Sequence, residues 1–312
     1  MEGLLVIIEK IAYIGIMILI GFLCEKTGFV KNITNSVSGI IKNITLPCLL
    51  LTSLISNTLD ASKAKNGALI VGIGLCAIVF MMYMGNVGGK MLKLDDGKRG
   101  IQIAMGSFGN VAFLGYPLIQ ALLGPEGLLY AVFYNLINDG LLWSFGLSAI
   151  SGEKGLKKLK NMLNICTLSF AVGLVMLVLG LKLPTVLQDS LASVGSATTP
   201  LSMLFIGATM AREDVVSALK RPAVYLLTFT KMVFMPLVIV GLMALFLKGT
   251  MNITAMLTLV LQVAMPAQTM VAILAKEYDL DSKYAVEVIF ITTVFALVSL
   301  PVIYQFAMNV LG

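Results

Sequence analysis

Apolar residues run through this chain in ten long stretches, at 4–24, 40–56, 67–88, 100–123, 127–150, 162–181, 191–211, 223–247, 253–275 and 284–310. Roughly 20 apolar residues are needed for a helix to cross a bilayer. The pattern therefore predicts an all-α polytopic membrane protein with ten transmembrane helices. The polar segments between them are too short to form a soluble domain. The start, Met1-Glu2-Gly3-Leu4-Leu5, has no basic segment ahead of its apolar run and no small-residue cleavage site after it, so the first helix is expected to be retained.

The pattern also occurs twice. Gly21 and Gly28 answer Gly173 and Gly180, and Thr45-Leu46-Pro47 answers Thr198-Thr199-Pro200. Pro117 answers Pro266, and Tyr130-Ala131-Val132 answers Tyr284-Ala285-Val286. The offsets are 152, 153, 149 and 154 residues. Two five-helix halves follow, residues 1–150 and 151–312, and the odd number inverts the second relative to the first. A 5+5 inverted repeat with proline-broken helices 4 and 9 points to a secondary transporter and to its binding site.

Composition fits a lipid solvent, with 58% hydrophobic and 12% charged residues and a mean hydropathy of +0.97. The net charge of +6 reflects topology rather than nucleic-acid binding. Sixteen Lys and Arg residues fall in the loops of one face: Lys26 to Lys42, Lys90 to Arg99, Lys154 to Lys160, Arg212 to Arg221, and Lys276 with Lys283. Four fall on the other: Lys63, Lys65, Lys182 and Lys248. Cytoplasmic loops collect basic residues, so both termini are expected outside the cell membrane.

Histidine is absent, which removes the commonest metal ligand and general base and argues against an enzyme. There is no Gly-rich Gly-Lys-Ser/Thr loop for ATP phosphates. The cysteines Cys24, Cys48, Cys76 and Cys166 have no paired spacing and read as small apolar residues. No metal or organic cofactor is expected; an ion gradient, H+ or Na+, would supply the driving force.

Two stretches carry candidate binding chemistry. The fourth span reads Gly109-Asn110-Val111-Ala112-Phe113-Leu114-Gly115-Tyr116-Pro117. Proline removes a backbone donor and Gly115 lowers the cost of opening the helix there. The ninth span repeats the device around Gln262, Pro266, Gln268 and Thr269. If the breaks cross, their N–H groups and half-helix N-termini attract an anion, with Asn110 and Gln268 adding amide bonds. Pro47 and Pro200 sit early in their spans, where proline fits a helix start.

Ionisable groups inside spans are costly and usually functional. Asp139 lies mid-span, with Asn135 and Asn138 beside it, and the repeat maps it onto Thr293. This set suits a coupling site. Lys231, deep in the eighth span, either compensates an anionic substrate or pairs with Asp139. Glu9, Lys10 and Glu287 lie nearer span ends and are expected to reach the interface. The run Lys276-Glu277-Tyr278-Asp279-Leu280-Asp281 reads as a solvated loop.

The run from Asn110 to Pro117 resembles the Asn-x5-Gly-x-Pro signature of the auxin efflux carrier, or PIN-like, family, with four residues here between Asn110 and Gly115. Leu261 to Pro266 with Ala275 to Tyr278 is similar to that family's ninth span. Pro200-Leu201-Ser202 with Gly207-Ala208 resembles its seventh, and Lys231 with Pro236 its eighth. The short segment 151–160 resembles compact bacterial members, associated with organic anions such as malate or malonate. The resemblance implies crossover helices 4 and 9 and elevator-type transport. It further implies a scaffold of spans 1, 2, 6 and 7, often dimeric, carrying a moving domain of spans 3–5 and 8–10.

The expected function is secondary transport of a small organic anion, with the lipid bilayer and a second copy of the chain as the other partners. The alternatives are a sodium-coupled symporter resembling the bile-acid family and a non-transporting membrane sensor.

Overall fold

A computed structural model describes residues 2–29, 33–151, 165–211 and 221–312. Lys31, the basic run Lys154 to Lys160, Arg212 and Lys220 lie outside the described residues, as do the side chains of Glu9 and Lys10. The described residues are mostly helical and contain no strand. In order the helices are α1 (Glu2–Lys26), α2 (Ile33–Ile40), α3 (Leu46–Ile55), α4 (Ala61–Met91), α5 (Asp96–Ser107), α6 (Tyr116–Leu141) and α7 (Leu147–Ser151). There follow α8 (Ile165–Leu179), α9 (Thr185–Ser196), α10 (Thr198–Ala211), α11 (Pro222–Phe229), α12 (Met235–Phe246), α13 (Ile253–Val263), α14 (Thr269–Glu277) and α15 (Ser282–Leu311).

Five helical runs among the described residues are long and apolar enough to cross a bilayer: Val37–Ile55, Ala61–Met91, Thr185–Ala211, Pro222–Phe246 and Ser282–Leu311. The molecule is a multi-pass membrane protein. Helix α6 is interrupted at Gly124, whose positive φ of 66° is open to glycine, and Pro125 begins the next stretch.

The helices are repeatedly widened by π turns, at Ile41–Thr45, Val111–Gly115, Leu142–Gly146 and Thr230–Phe234. Three of them deliver a proline to the second residue of the following helix: Pro47, Pro117 and Pro236. A wide turn absorbs the hydrogen bond that proline cannot donate and moves the carbonyl its ring would strike. Pro47 and Pro200 do fit a helix start, in the first turns of α3 and α10, but those helices begin within longer helical runs rather than at the start of their spans. The run Val37–Ile55 reaches well upstream of Pro47, and Thr185–Ala211 well upstream of Pro200. The sequence pattern missed these turns because polar residues such as Asn43, Gln188 and Asp189 shorten the apolar stretches.

The chain divides into two compact units. Unit 1 comprises Met1–Lys65, Tyr116–Val132 and Leu163–Arg212, and unit 2 comprises Asn66–Gly115, Phe133–Met162 and Glu213–Gly312. Unit 1 is closed by helices that approach to backbone contact. A Cβ on Gly21 of α1 would lie 2.2 Å from the Leu204 carbonyl oxygen of α10, and one on Gly207 of α10 would lie 1.9 Å from the Ile18 oxygen of α1. Small residues at such crossings let helices pack where lipid offers no hydrophobic drive.

At the α5 end of unit 2, Asp95 accepts from the Lys98 backbone N–H at 2.9 Å. That bond, with the Lys98 ammonium 3.1 Å away, holds the Asp95 carboxyl below the usual carboxylate range.

Candidate functional site

Within unit 2, α5 stops at Ser107 and α13 stops at Val263, and the two interrupted chains pair with each other. Gly109 and Ala267 form an isolated antiparallel bridge. The Asn110 N–H donates to the Pro266 oxygen at 2.8 Å, and the Gln268 N–H donates to the Phe108 oxygen at 3.2 Å. Two further N–H groups freed by the breaks are satisfied by side chains. Gly109 donates to Asn138 Oδ1 at 3.2 Å, and Ala267 donates to Thr292 Oγ1 at 3.1 Å. The Thr292 hydroxyl in turn donates to the Val288 oxygen at 2.7 Å. Asn138 and Thr292 are both fully buried, as groups that replace lost helical bonds must be.

Asn110 and Gln268 therefore occupy equivalent places. Each is the first residue past the bridge, and each immediately precedes a new helical start, the π turn at Val111 or α14 at Thr269. Helix N-termini carry partial positive charge and favour anions. The Gln268 Oε1 is buried with no hydrogen-bond partner, so this oxygen can accept from a donor. Pro266 lies in the ninth-span break itself.

Pro117 does not mark the fourth-span break. The non-helical residues are Phe108 to Asn110, while Pro117 is the second residue of α6 after a π turn, a place where its missing donor costs little. Tyr116 beside it is buried. Gly115 and Gln262 are brought together: a Cβ on Gly115 would lie 2.7 Å from Gln262 Oε1. Gln262 is fully buried with both amide atoms unpartnered, and so is the hydroxyl of Thr258 one turn earlier.

Asp139 is tied to the crossing. It accepts from Asn135 Nδ2 at 3.1 Å and from Asn138 Nδ2 at 3.2 Å, and the Gln268 amide hydrogen-bonds to the same carboxyl. Asn138 thus holds the Gly109 N–H with one amide atom and Asp139 with the other. Lys231 does not pair with Asp139. Its Nζ donates to the Gly106 oxygen of α5 at 3.4 Å, and the residue is 1% exposed.

Some contacts of the crossing and of its neighbourhood have no counterpart in the sequence reading. The bond to Ala267 comes from Thr292, not from its neighbour Thr293. The 154-residue offset that relates Tyr130 to Tyr284 also relates Asn138 to Thr292, so the repeat held the signal. Glu287 does not reach the interface: it is 3% exposed and pairs with Arg221 at 2.9 Å. Nor is Asp281 merely solvated. It caps α15 by accepting from the Tyr284 N–H at 3.0 Å, and it meets Arg221 at 3.4 Å and Lys98 at 3.8 Å. Arg221 stacks over the Tyr284 ring at 5.5 Å, and the Tyr284 hydroxyl donates to Gln102 Oε1.

The chain matches a family model described as membrane transport protein over residues 6–304. It belongs to that family. This is the family of the auxin efflux carriers that the motifs resemble. An uncharacterized transporter of Methanothermobacter thermautotrophicus is 28% identical over 303 residues, covering 94% of this chain and 96% of the relative. Another from Methanocaldococcus jannaschii is 28% identical over 301 residues, covering 93% and 95%. The protein is a member of a transporter family, not of an enzyme family.

The geometry makes Thr292 a support of the crossing. Thr292→Val keeps the shape but leaves the Ala267 N–H buried without an acceptor, a loss of about 1–3 kcal/mol. Thermal unfolding in lipid nanodiscs should show Thr292→Val destabilised and Thr292→Ser near wild type; a valine variant as stable as wild type would remove Thr292 from this role.

Proposed function

We propose that the protein is a secondary transporter of small organic carboxylate anions that works by elevator-type alternating access. The observation that carries the reading is the crossing itself. Two new helical starts converge there, beside the Asn110 amide. Such a site offers N–H donors and partial positive charge at an opening buried in protein, which suits a carboxylate.

The division of the chain supports the moving part. Every residue of the crossing belongs to unit 2, while α1 to α3 and α8 to α10 belong to unit 1. In this reading unit 2 is the carrier and unit 1 the scaffold, with residues 116–132 counted with the scaffold. The ten spans form a 5+5 inverted repeat in the cell membrane with both termini outside, as the sixteen-to-four split of basic residues favours. The scaffold is the dimer contact that the family resemblance implies.

Substrate uptake into proteoliposomes across a panel of carboxylates tests the reading. Removing one hydrogen bond to a charged group costs about 1.5–3 kcal/mol, or roughly tenfold to a hundredfold in affinity. Asn110→Ala and Gln268→Ala should each weaken the accepted substrate by that much. Affinities within twofold of wild type in both variants would move the site elsewhere.

Asp139 is the coupling group in this reading, holding a proton or a sodium ion next to the crossing. Asp139→Asn keeps the shape and one acceptor oxygen, which can still serve Asn138, while removing the acid; Asn135 must turn its own oxygen toward the new NH2. The variant should preserve simple exchange and lose accumulation under an imposed pH or sodium gradient. Normal accumulation in that variant would make Asp139 structural.

A further inference from the structure

Lys231 is a buried amine, and what the described residues offer its ammonium form is half an answer. Its hydrogen-bond partner among the described residues, the Gly106 oxygen, is a carbonyl of the last turn of α5, where the helix dipole supplies about half a negative charge. Around it lies a small cavity with about 20 Å³ of room for the centre of a water-sized sphere, enough for one water molecule. The other lining groups are neutral: Gln102, Thr230, Gly85, Gly88 and the thioethers of Met81 and Met84. Asp139, the carboxylate tied to the crossing, is engaged by Asn135, Asn138 and Gln268 instead. A buried charge left uncompensated is costly.

The same helix end leads directly to the crossing. Three residues separate Gly106 from Gly109, which span at most about 11 Å, so a ligand at the bridge lies within about 15 Å of the ammonium. We propose that Lys231 is the fixed counter-charge for the transported anion, a specificity-determining residue that acts through the field rather than by contact. This rests on the carboxylate reading above. At 10 to 15 Å and an effective dielectric constant of about 20, one such charge changes the affinity of a monoanion by about fivefold to twentyfold, and that of a dianion by the square of this.

The test uses three probes of one shape class but different charge: malonate, acetate and the neutral diamide malonamide. Binding to full-length protein in nanodiscs is measured for wild type, Lys231→Gln, Lys231→Arg and Lys231→Met. The neutral variants should lose malonate most, acetate less and malonamide not at all, while Lys231→Arg keeps the wild-type order. Lys231→Met fills a similar volume and stands in if the glutamine variant is not monodisperse. An equal loss for all three probes, or no loss for any, would reduce Lys231 to a cap on α5 and overturn the proposal. If wild type binds neither acid, the carboxylate reading fails first and this inference falls with it.

Discussion

A helix that stops inside a membrane protein must find new partners for the backbone groups it releases, and much of unit 2 is arranged around that requirement. Two chains are interrupted, at Phe108 to Asn110 and at Ala264 to Gln268, and each supplies part of what the other has lost through the bonds Asn110 N–H to Pro266 and Gln268 N–H to Phe108. Asn138 and Thr292 close the remaining gap at Gly109 and Ala267. An unsatisfied backbone group away from water costs several kcal/mol, so these four bonds restrict where the breaks can lie. The Asn110 side chain and the Gln268 Oε1 then lie beside the crossing with those bonds already made.

Two ionisable groups inside unit 2, Asp139 and Lys231, are held apart rather than paired with each other. Asp139 is embraced by amides, and Lys231 sits at the end of α5 with a carbonyl. Where the same unit does pair its charges, it does so in a separate cluster: Arg221 joins Glu287 and Asp281, and Lys98 joins Asp281 and Asp95. That contrast gives the two separated charges their functional interest. Neutral partners leave a buried ionic group responsive to whatever enters nearby, whereas a direct ion pair consumes it.

Much of the site was legible in the sequence because it is local or repeated. Asn110 and Gln268 flank the breaks, Asn135 and Asp139 are one turn apart, and the apolar stretches indicate a helical membrane protein. Pro117 misled the position of the break. A proline signals that a donor is missing, but the π turn at Val111–Gly115 accommodates it downstream, and the opening falls at Gly109. Arg221 with Glu287, and Lys231 with Gly106, join positions more than sixty residues apart in the chain. Spacing carries no trace of such pairs, because only packing brings them together. Thr292 lay between these cases, visible once the register of 154 was applied to Asn138 as well as to Asp139.

The central claim is that the crossing is the transported site and faces each side of the membrane in turn. Single cysteines at Asn110 and Gln268, in an otherwise cysteine-free protein reconstituted in oriented vesicles, can be challenged with an impermeant thiol reagent from either side. The account predicts that both positions react from both sides, and that an accepted carboxylate slows each reaction. Reaction from one side alone, unchanged by substrate and by the direction of the gradient, would contradict it.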